Sequence, residues 1–289
     1  MTEPSLAGKI ILITGGGRGL GRAMALGLAR ASAAGITITA ASSRDEIDYV
    51  AAEIDGIRGP GHALALMADV TNIEDCRTAI ELTLNQFGGL HVLINNAGKG
   101  QRFTVEDRAP FWEAEPEGWR QIVDTNINGP FFMARTAVAP MMEVEWGRII
   151  NISKSRDAMH RQNETPYGLT KAALEAATLS WAQDLDGTGI TVNSLAPGGG
   201  VDTDFLLPSV RRRAQEARRA FLSPDVMVPP VLWLASELSD GITGCRYMAN
   251  LWDQSLAPHD AAEGAREPAI FLPPTRRQLL EKTWKPPAG

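Results

Sequence analysis

The chain has 289 residues, 44% of them hydrophobic, and a formal net charge of -6, which suits one α/β domain with a large core. The acidic balance leaves no electrostatic footprint for nucleic acid, and the apolar runs are too short and too interrupted to span a membrane. No secretory signal is legible in residues 1–8, the two cysteines (Cys76 and Cys245) read as small buried hydrophobes in a reducing, cytoplasmic setting, and the histidines show no metal-ligand spacing.

In chain order, residues 10–13 form an unbroken apolar run, as expected of a strand buried on both faces. Residues 20–30 have helical spacing, 36–40 read as a second strand, 45–54 as a helix and 63–67 as a third strand. Asn72 caps a helix running to Phe87. A fourth strand is expected at 91–94, a long helix at 118–142, a fifth strand at 148–152, a helix at 166–185 and a sixth strand at 190–195. A seventh strand falls near 246–249. This alternation predicts a doubly wound Rossmann fold, an about seven-stranded parallel sheet with helices on both faces. Residues 1–255 read as one domain, and 256–289 as a Pro-rich, extended tail packed on it or on a partner subunit. The basic segment holding Arg211, Arg212, Arg213, Arg218 and Arg219 reads as a solvated helix face rather than a lid for an anionic substrate.

Two motifs carry chemistry. Directly after the first strand comes Thr14-Gly15-Gly16-Gly17-Arg18-Gly19-Leu20-Gly21, which opens a helix. Gly15 and Gly17 allow a tight turn, Gly19 admits a pyrophosphate close to the backbone, and Gly21 lets helix pack on strand. The helix N-terminus then offers N–H groups and positive potential to an anion. At the end of the second strand, Ser42 and Arg44 stand where a carboxylate would select a 2′-hydroxyl; with Arg18 they favour NADP(H) over NAD(H), unless Asp45 reaches the strand end. Far downstream, Pro166 precedes Tyr167 and Lys171, four residues apart on one helical face. A phenol titrates near pH ~10 and a neighbouring cation lowers that value, which prepares it for proton exchange with an alcohol or ketone.

Together these motifs resemble the short-chain dehydrogenase/reductase family over roughly residues 6–250. Four more segments extend the likeness. Asp69 and Val70 follow the third strand, where the family holds the adenine ring; Asn96, Ala97 and Gly98 follow the fourth and line the cofactor. Asn126 matches a helical asparagine, and Pro197 and Gly198 follow the sixth strand beside the nicotinamide, with Val201 nearby. The resemblance implies Tyr167 as general acid/base, Lys171 holding the nicotinamide ribose, and Asn126 helping to hold a water that links Lys171 to solvent. It also implies a homodimer or homotetramer through the helices that carry Asn126 and Tyr167.

The chain departs from the family at the serine expected thirteen positions before the tyrosine, where Lys154 stands. Ser155 is the preferred substitute and Ser153 the second; Lys154 itself could instead polarise the substrate oxygen. The segment 248–253 lacks the family's usual Asp-Gly-Gly ending. Apolar walls for the substrate are expected from Phe103, Met159 and Phe205, and polar handles from Arg156, His160 and Arg161. The expected activity is hydride transfer between a nicotinamide cofactor and a small secondary alcohol or ketone. The alternative is a dinucleotide-binding sensor or scaffold with impaired catalysis.

Overall fold

The first strand sets the frame. In the computed structural model, which describes residues 4–105, 109–218 and 220–268, β1 (Ile10–Thr14) is buried at every position. Helix α1 (Gly19–Arg30) follows it, then β2 (Gly35–Ala40), α2 (Arg44–Arg58), β3 (Ala63–Met67) and α3 (Ile73–Phe87), whose N-cap Asn72 accepts the Glu74 N–H. Next come β4 (Val92–Asn95), α4 (Pro116–Val123), a π-turn (Asp124–Asn128), α5 (Gly129–Glu143) and β5 (Gly147–Ile152). Short α6 (Arg156–Met159) leads to α7 (Tyr167–Asp184) and β6 (Ile190–Ala196). Then α8 (Pro208–Glu216), α9 (Val228–Leu234), β7 (Arg246–Met248), α10 (Pro258–Ala265) and β8 (Arg266–Glu267) complete the described elements.

The strand order is β3-β2-β1-β4-β5-β6-β7-β8, with every pair parallel except β7–β8. Neighbours of β1 come from opposite directions of winding, so a crevice opens at the carboxyl ends of β1 and β4. One apolar cluster, including Ile11, Ile13, Met24, Ile38 and Trp233, packs on one face of the sheet. A second, including Leu12, Leu93, Met133 and Val192, packs on the other. Alternate residues of each strand thus face opposite helical layers.

The sheet runs to eight strands where about seven were expected, because Arg266 and Glu267 add an antiparallel edge. Two expectations need correction. The start of the expected extended tail is instead helical, with Ala261, Ala262 and Ala265 buried against the domain; Pro273, Pro274, Pro286 and Pro287 lie outside the described residues. The expected single helix over 118–142 is split by the π-turn. Pro130 has no N–H to give the carbonyl of Asn126 four residues earlier, and the Gly129 N–H reaches back to Asp124 O instead.

Polar groups inside the second half of the sheet are tied by Arg246. Its side chain is 2% exposed and pairs with Glu175 at 3.1 Å, itself 3% exposed, while Nη2 donates to Lys154 O at 2.7 Å. Removing one member of a buried pair strands the other charge, at a cost of about 3–5 kcal/mol. Arg246→Met is therefore expected to lower unfolding free energy by that order in urea titration, and Glu175→Gln in the same chain to recover part of it. An Arg246→Met protein as stable as the parent would contradict this account.

Candidate active site

Loops at the carboxyl ends of the strands enclose a crevice of ≈ 1270 Å³ lined from Gly15 at one end to Lys154, Tyr167 and Glu267 at the other. Its floor is the glycine loop. Gly15 (φ +64°) and Gly19 (φ +53°) adopt the left-handed conformation, and a Cβ on Gly21 would fall 2.2 Å from Gly15 O. Asn96 fastens this loop: its Nδ2 donates to Thr14 O and Gly15 O, both at 2.9 Å, and the Asn96 and Ala97 N–H groups donate to Thr14 Oγ1 at 3.0 Å. Arg18, in the N-cap position of α1, makes no side-chain cap bond, and the first turn carries no acid. The first N–H groups of the helix are left for an anion, so the loop suits a dinucleotide pyrophosphate.

Gly15, Gly17, Arg18, Gly19, Leu20 and Gly21 line the crevice, as do Ser42, Asp69, Val70, Asn96, Ala97, Gly98, Pro197, Gly198 and Val201. The Asp69 carboxylate accepts the Thr71 N–H at 2.9 Å and its hydroxyl at 2.8 Å, which shapes the turn after β3. Arg44 is not among the lining residues. It opens α2, and its guanidinium donates to Ala65 O at 3.2 Å and lies 3.6 Å from Asp48. In the chain alone the α2 start carries the Arg44 side chain toward β3 rather than along the crevice wall. β2 ends at Ala40, and Asp45 lies in the first turn of α2, off the crevice wall. Arg18 remains on the wall, 3.4 Å from Glu46.

At the other end Tyr167 and Lys171 share one face of α7 and both line the crevice. The Lys171 ammonium donates to Ile152 O at 2.7 Å, joining α7 to the end of β5. Burial lowers its pKa to about 8, assisted by the nearby Lys154 and opposed by Glu175. The expected acidification of the phenol does not occur in the chain alone. Burial pushes the Tyr167 pKa up and the Glu164 carboxylate adds to the rise, so the hydroxyl keeps its proton. Phe205 leans on the Tyr167 ring with centroids 5.3 Å apart.

Asn126 is fully buried behind the wall, in the π-turn. Its Oδ1 accepts the Lys99 N–H at 2.8 Å, and its Nδ2 donates to Lys99 O at 2.9 Å and Thr170 Oγ1 at 3.0 Å. Both amide hydrogens are thus engaged. Ser155 lines the crevice from the N-cap position of α6, without a side-chain cap bond. Ser153 is buried and donates to Glu175 Oε1 at 2.5 Å.

Phe103, Phe205, Arg156 and Arg161 stand on the wall as expected. Met159 does not: it is buried against Gly168, where a Cβ would fall 2.3 Å from Met159 O. His160 is exposed and off the wall. Arg211 pairs with Asp202 at 2.8 Å and Thr203 O at 2.7 Å, so it fixes the loop after β6; Arg219 lies outside the described residues. Sequence reasoning missed several contributors. Glu164 accepts from Lys154 Nζ at 2.6 Å, Asn250 packs against Gly198 and donates its N–H to Pro197 O, and Glu267 reaches the wall from β8. Only Glu164, three residues before the tyrosine, carried a positional signal. The cysteines behave as expected at Cys76, whose thiol burial pushes up to about 12. Among the described residues no cluster of metal-ligating side chains occurs, and no helix is long and apolar enough to cross a membrane.

The sequence profile of a family described as short chain dehydrogenase matches residues 9–213. A 3-oxoacyl-[acyl-carrier-protein] reductase of Pseudomonas aeruginosa is 35% identical over 213 residues, 73% of this chain and 81% of that protein. Among solved structures, the 3-ketoacyl-(acyl-carrier-protein) reductase of Brucella melitensis complexed with NADH superposes with TM-score 0.73 at 29% identity, covering 84% of this chain and 96% of that one. A short-chain type dehydrogenase/reductase of Mycobacterium marinum superposes with TM-score 0.75 at 28% identity, covering 84% and 94%.

The depressed Lys171 pKa makes a prediction with a definite sign. Between about 8 and the usual 10.5 the unfolded chain holds a proton that the folded chain does not. The burial cost of the cation is therefore full below pH 8 and relieved as pH rises. Relative to Lys171→Met, the parent should gain about 3 kcal/mol of unfolding free energy between pH 7 and pH 10.5. Urea titrations at the two pH values measure this, and a constant difference would refute it.

Proposed function

The chain belongs to the short-chain dehydrogenase/reductase family of nicotinamide-dependent oxidoreductases, and from that premise we propose that it transfers hydride between NADP(H) and a small secondary alcohol or ketone. One observation carries the reading: Tyr167 and Lys171 line the same crevice as the glycine loop. The nicotinamide, when bound, supplies or accepts the hydride. The Tyr167 hydroxyl, kept protonated by burial, gives its proton to the oxygen of the carbonyl being reduced and takes one back in the oxidative direction. Lys171 spends one N–H on Ile152 O and keeps two for ribose hydroxyls. Asn126 fixes the Lys99 backbone and, through Thr170, the start of α7. We place it as the support of a proton path from Lys171 to solvent. The group facing the substrate oxygen belongs to the loop after β5, at Lys154 or Ser155.

NADP(H) is preferred over NAD(H) because Ala40, Ala41 and Ser42 put no carboxylate at the end of β2, while Arg18 lies on the wall nearby. The Glu46 partner of Arg18 and the NADH complex of the Brucella melitensis relative keep NAD(H) in the comparison. Relatives named as 3-oxoacyl reductases make a 3-oxoacyl thioester a first probe. Phe131 on α5 and Leu169 on α7, 45% and 49% exposed, support self-association through these helices. The sensor reading is favoured by Lys154 alone, and it predicts cofactor binding without turnover.

Fluorescence titration with NADPH and NADH reads the preference, and NADPH oxidation with 2,3-butanedione, ethyl acetoacetate and acetoacetyl-N-acetylcysteamine reads the activity. Tyr167→Phe is expected to lower turnover by roughly 10²–10⁴-fold while leaving NADPH affinity within a few-fold. Turnover retained by that variant would reject the assignment.

A further inference from the structure

The loop 153–155 offers three side chains to the reacting end of the crevice, and the structure distinguishes them. Ser153 lines the crevice too, but its hydroxyl is spent on Glu175, in a closed set with Arg246. Ser155 reaches the wall, but among the described residues its hydroxyl bonds neither Tyr167 nor Lys171. Lys154 is fixed at both ends. Arg246 Nη2 holds its carbonyl at 2.7 Å, and Glu164 holds its ammonium at 2.6 Å. Between those anchors the ammonium lies 4.7 Å from the centroid of the Tyr167 ring, on the crevice wall, with its side chain 14% exposed. A long, flexible cation usually seeks water. Here a buried carboxylate keeps it beside the phenol, and Arg161, 3.7 Å from the same carboxylate, adds a second positive charge.

We propose that Lys154 is a catalytic residue: its ammonium, steered by Glu164, donates a hydrogen bond to the reacting oxygen of the substrate and stabilises the negative charge that grows there. This rests on the hydride-transfer reading above. In the reducing direction hydride adds to the carbonyl carbon, the π pair moves to oxygen, and oxygen takes the proton of Tyr167. NADPH is oxidised to NADP⁺ as the carbonyl is reduced, and Lys154 keeps its own protons throughout. An ionised donor makes a hydrogen bond about twice as strong as a neutral hydroxyl. Fixed donors aimed at developing charge contribute most when the site is dry. A lysine in place of a serine thus alters the chemistry without abolishing it. The pressure of Lys154 on the Lys171 pKa is a further sign that its charge is felt at the reacting end.

The test uses the intact protein with Lys154→Ala and, to keep the aliphatic stem, Lys154→Met. With whichever of the three carbonyl probes the parent reduces, kcat should fall roughly 10²–10³-fold with NADPH affinity within threefold. Methylammonium should restore part of the lost rate to the alanine variant but not to the methionine one, and Lys154→Ser should retain more activity than either. A second readout needs no turnover. Trifluoroethanol, an alcohol acidic enough for its oxygen to gain negative charge beside a cationic donor, should bind the NADP⁺ complex of the parent more than tenfold tighter than that of Lys154→Ala. Loss of rate without amine rescue, or with a parallel loss of NADPH affinity, would overturn the proposal. So would a Lys154→Ala enzyme within threefold of the parent, with Ser155→Ala the severe variant. If the parent reduces none of the probes, the hydride-transfer reading fails for them, and the trifluoroethanol comparison alone decides the role of Lys154: equal binding to parent and variant overturns it.

Discussion

A buried ammonium bonded to a strand carbonyl organises the reacting end of this protein. Lys171 Nζ on Ile152 O couples the second turn of α7 to the last residue of β5. Tyr167, one turn before Lys171, is thereby brought over the loop that leaves β5. The same bond consumes one donor of a cation that burial has already weakened, leaving its other two hydrogens directed by geometry rather than by solvent. The phenol beside it is pushed the opposite way and stays neutral. Acid and base behaviour at the site thus follows from where the helix docks on the sheet.

Around that bond lies a second layer of fixed charge. Arg246 reaches Glu175, the Lys154 carbonyl and, at 3.2 Å, Glu267, so one guanidinium joins β7, α7, the β5–α6 loop and the terminal strand. Glu175 in turn takes the Ser153 hydroxyl. Arg246, Glu175 and Ser153 are buried and costly to leave alone. The layer therefore gives the loop a single conformation from below, while Glu164 sets its upper side chain from the opposite wall.

Much of this is legible in the sequence. Alternating apolar runs located the strands to within a residue or two, because a strand buried on both faces leaves a continuous hydrophobic record. Ala63–Met67 matches its expected bounds, and Asn72 caps α3 as its side chain suggests. The glycine loop and the Tyr167–Lys171 pair were legible because their spacing is local. What was not legible depended on tertiary direction. Periodicity marks Arg44 as near a strand end but cannot say which way the first turn of α2 aims it. The π-turn was hidden inside a good helical pattern, although Pro130 carried the clue. Nor can spacing along the chain reveal burial, which reversed the expected shift of the Tyr167 phenol.

The position of Arg44 has a consequence for the sheet as a whole. With β8 lying along β7, the outer strand at the other end is β3, a half-exposed stretch closed on one side only. Strands in that situation invite another chain to extend the ladder. A guanidinium bonded to Ala65 O occupies one of the acceptors such a visitor would need, and it puts charge where an incoming backbone would have to lie. The contact that turns Arg44 toward β3 thus covers part of an edge open to strand addition.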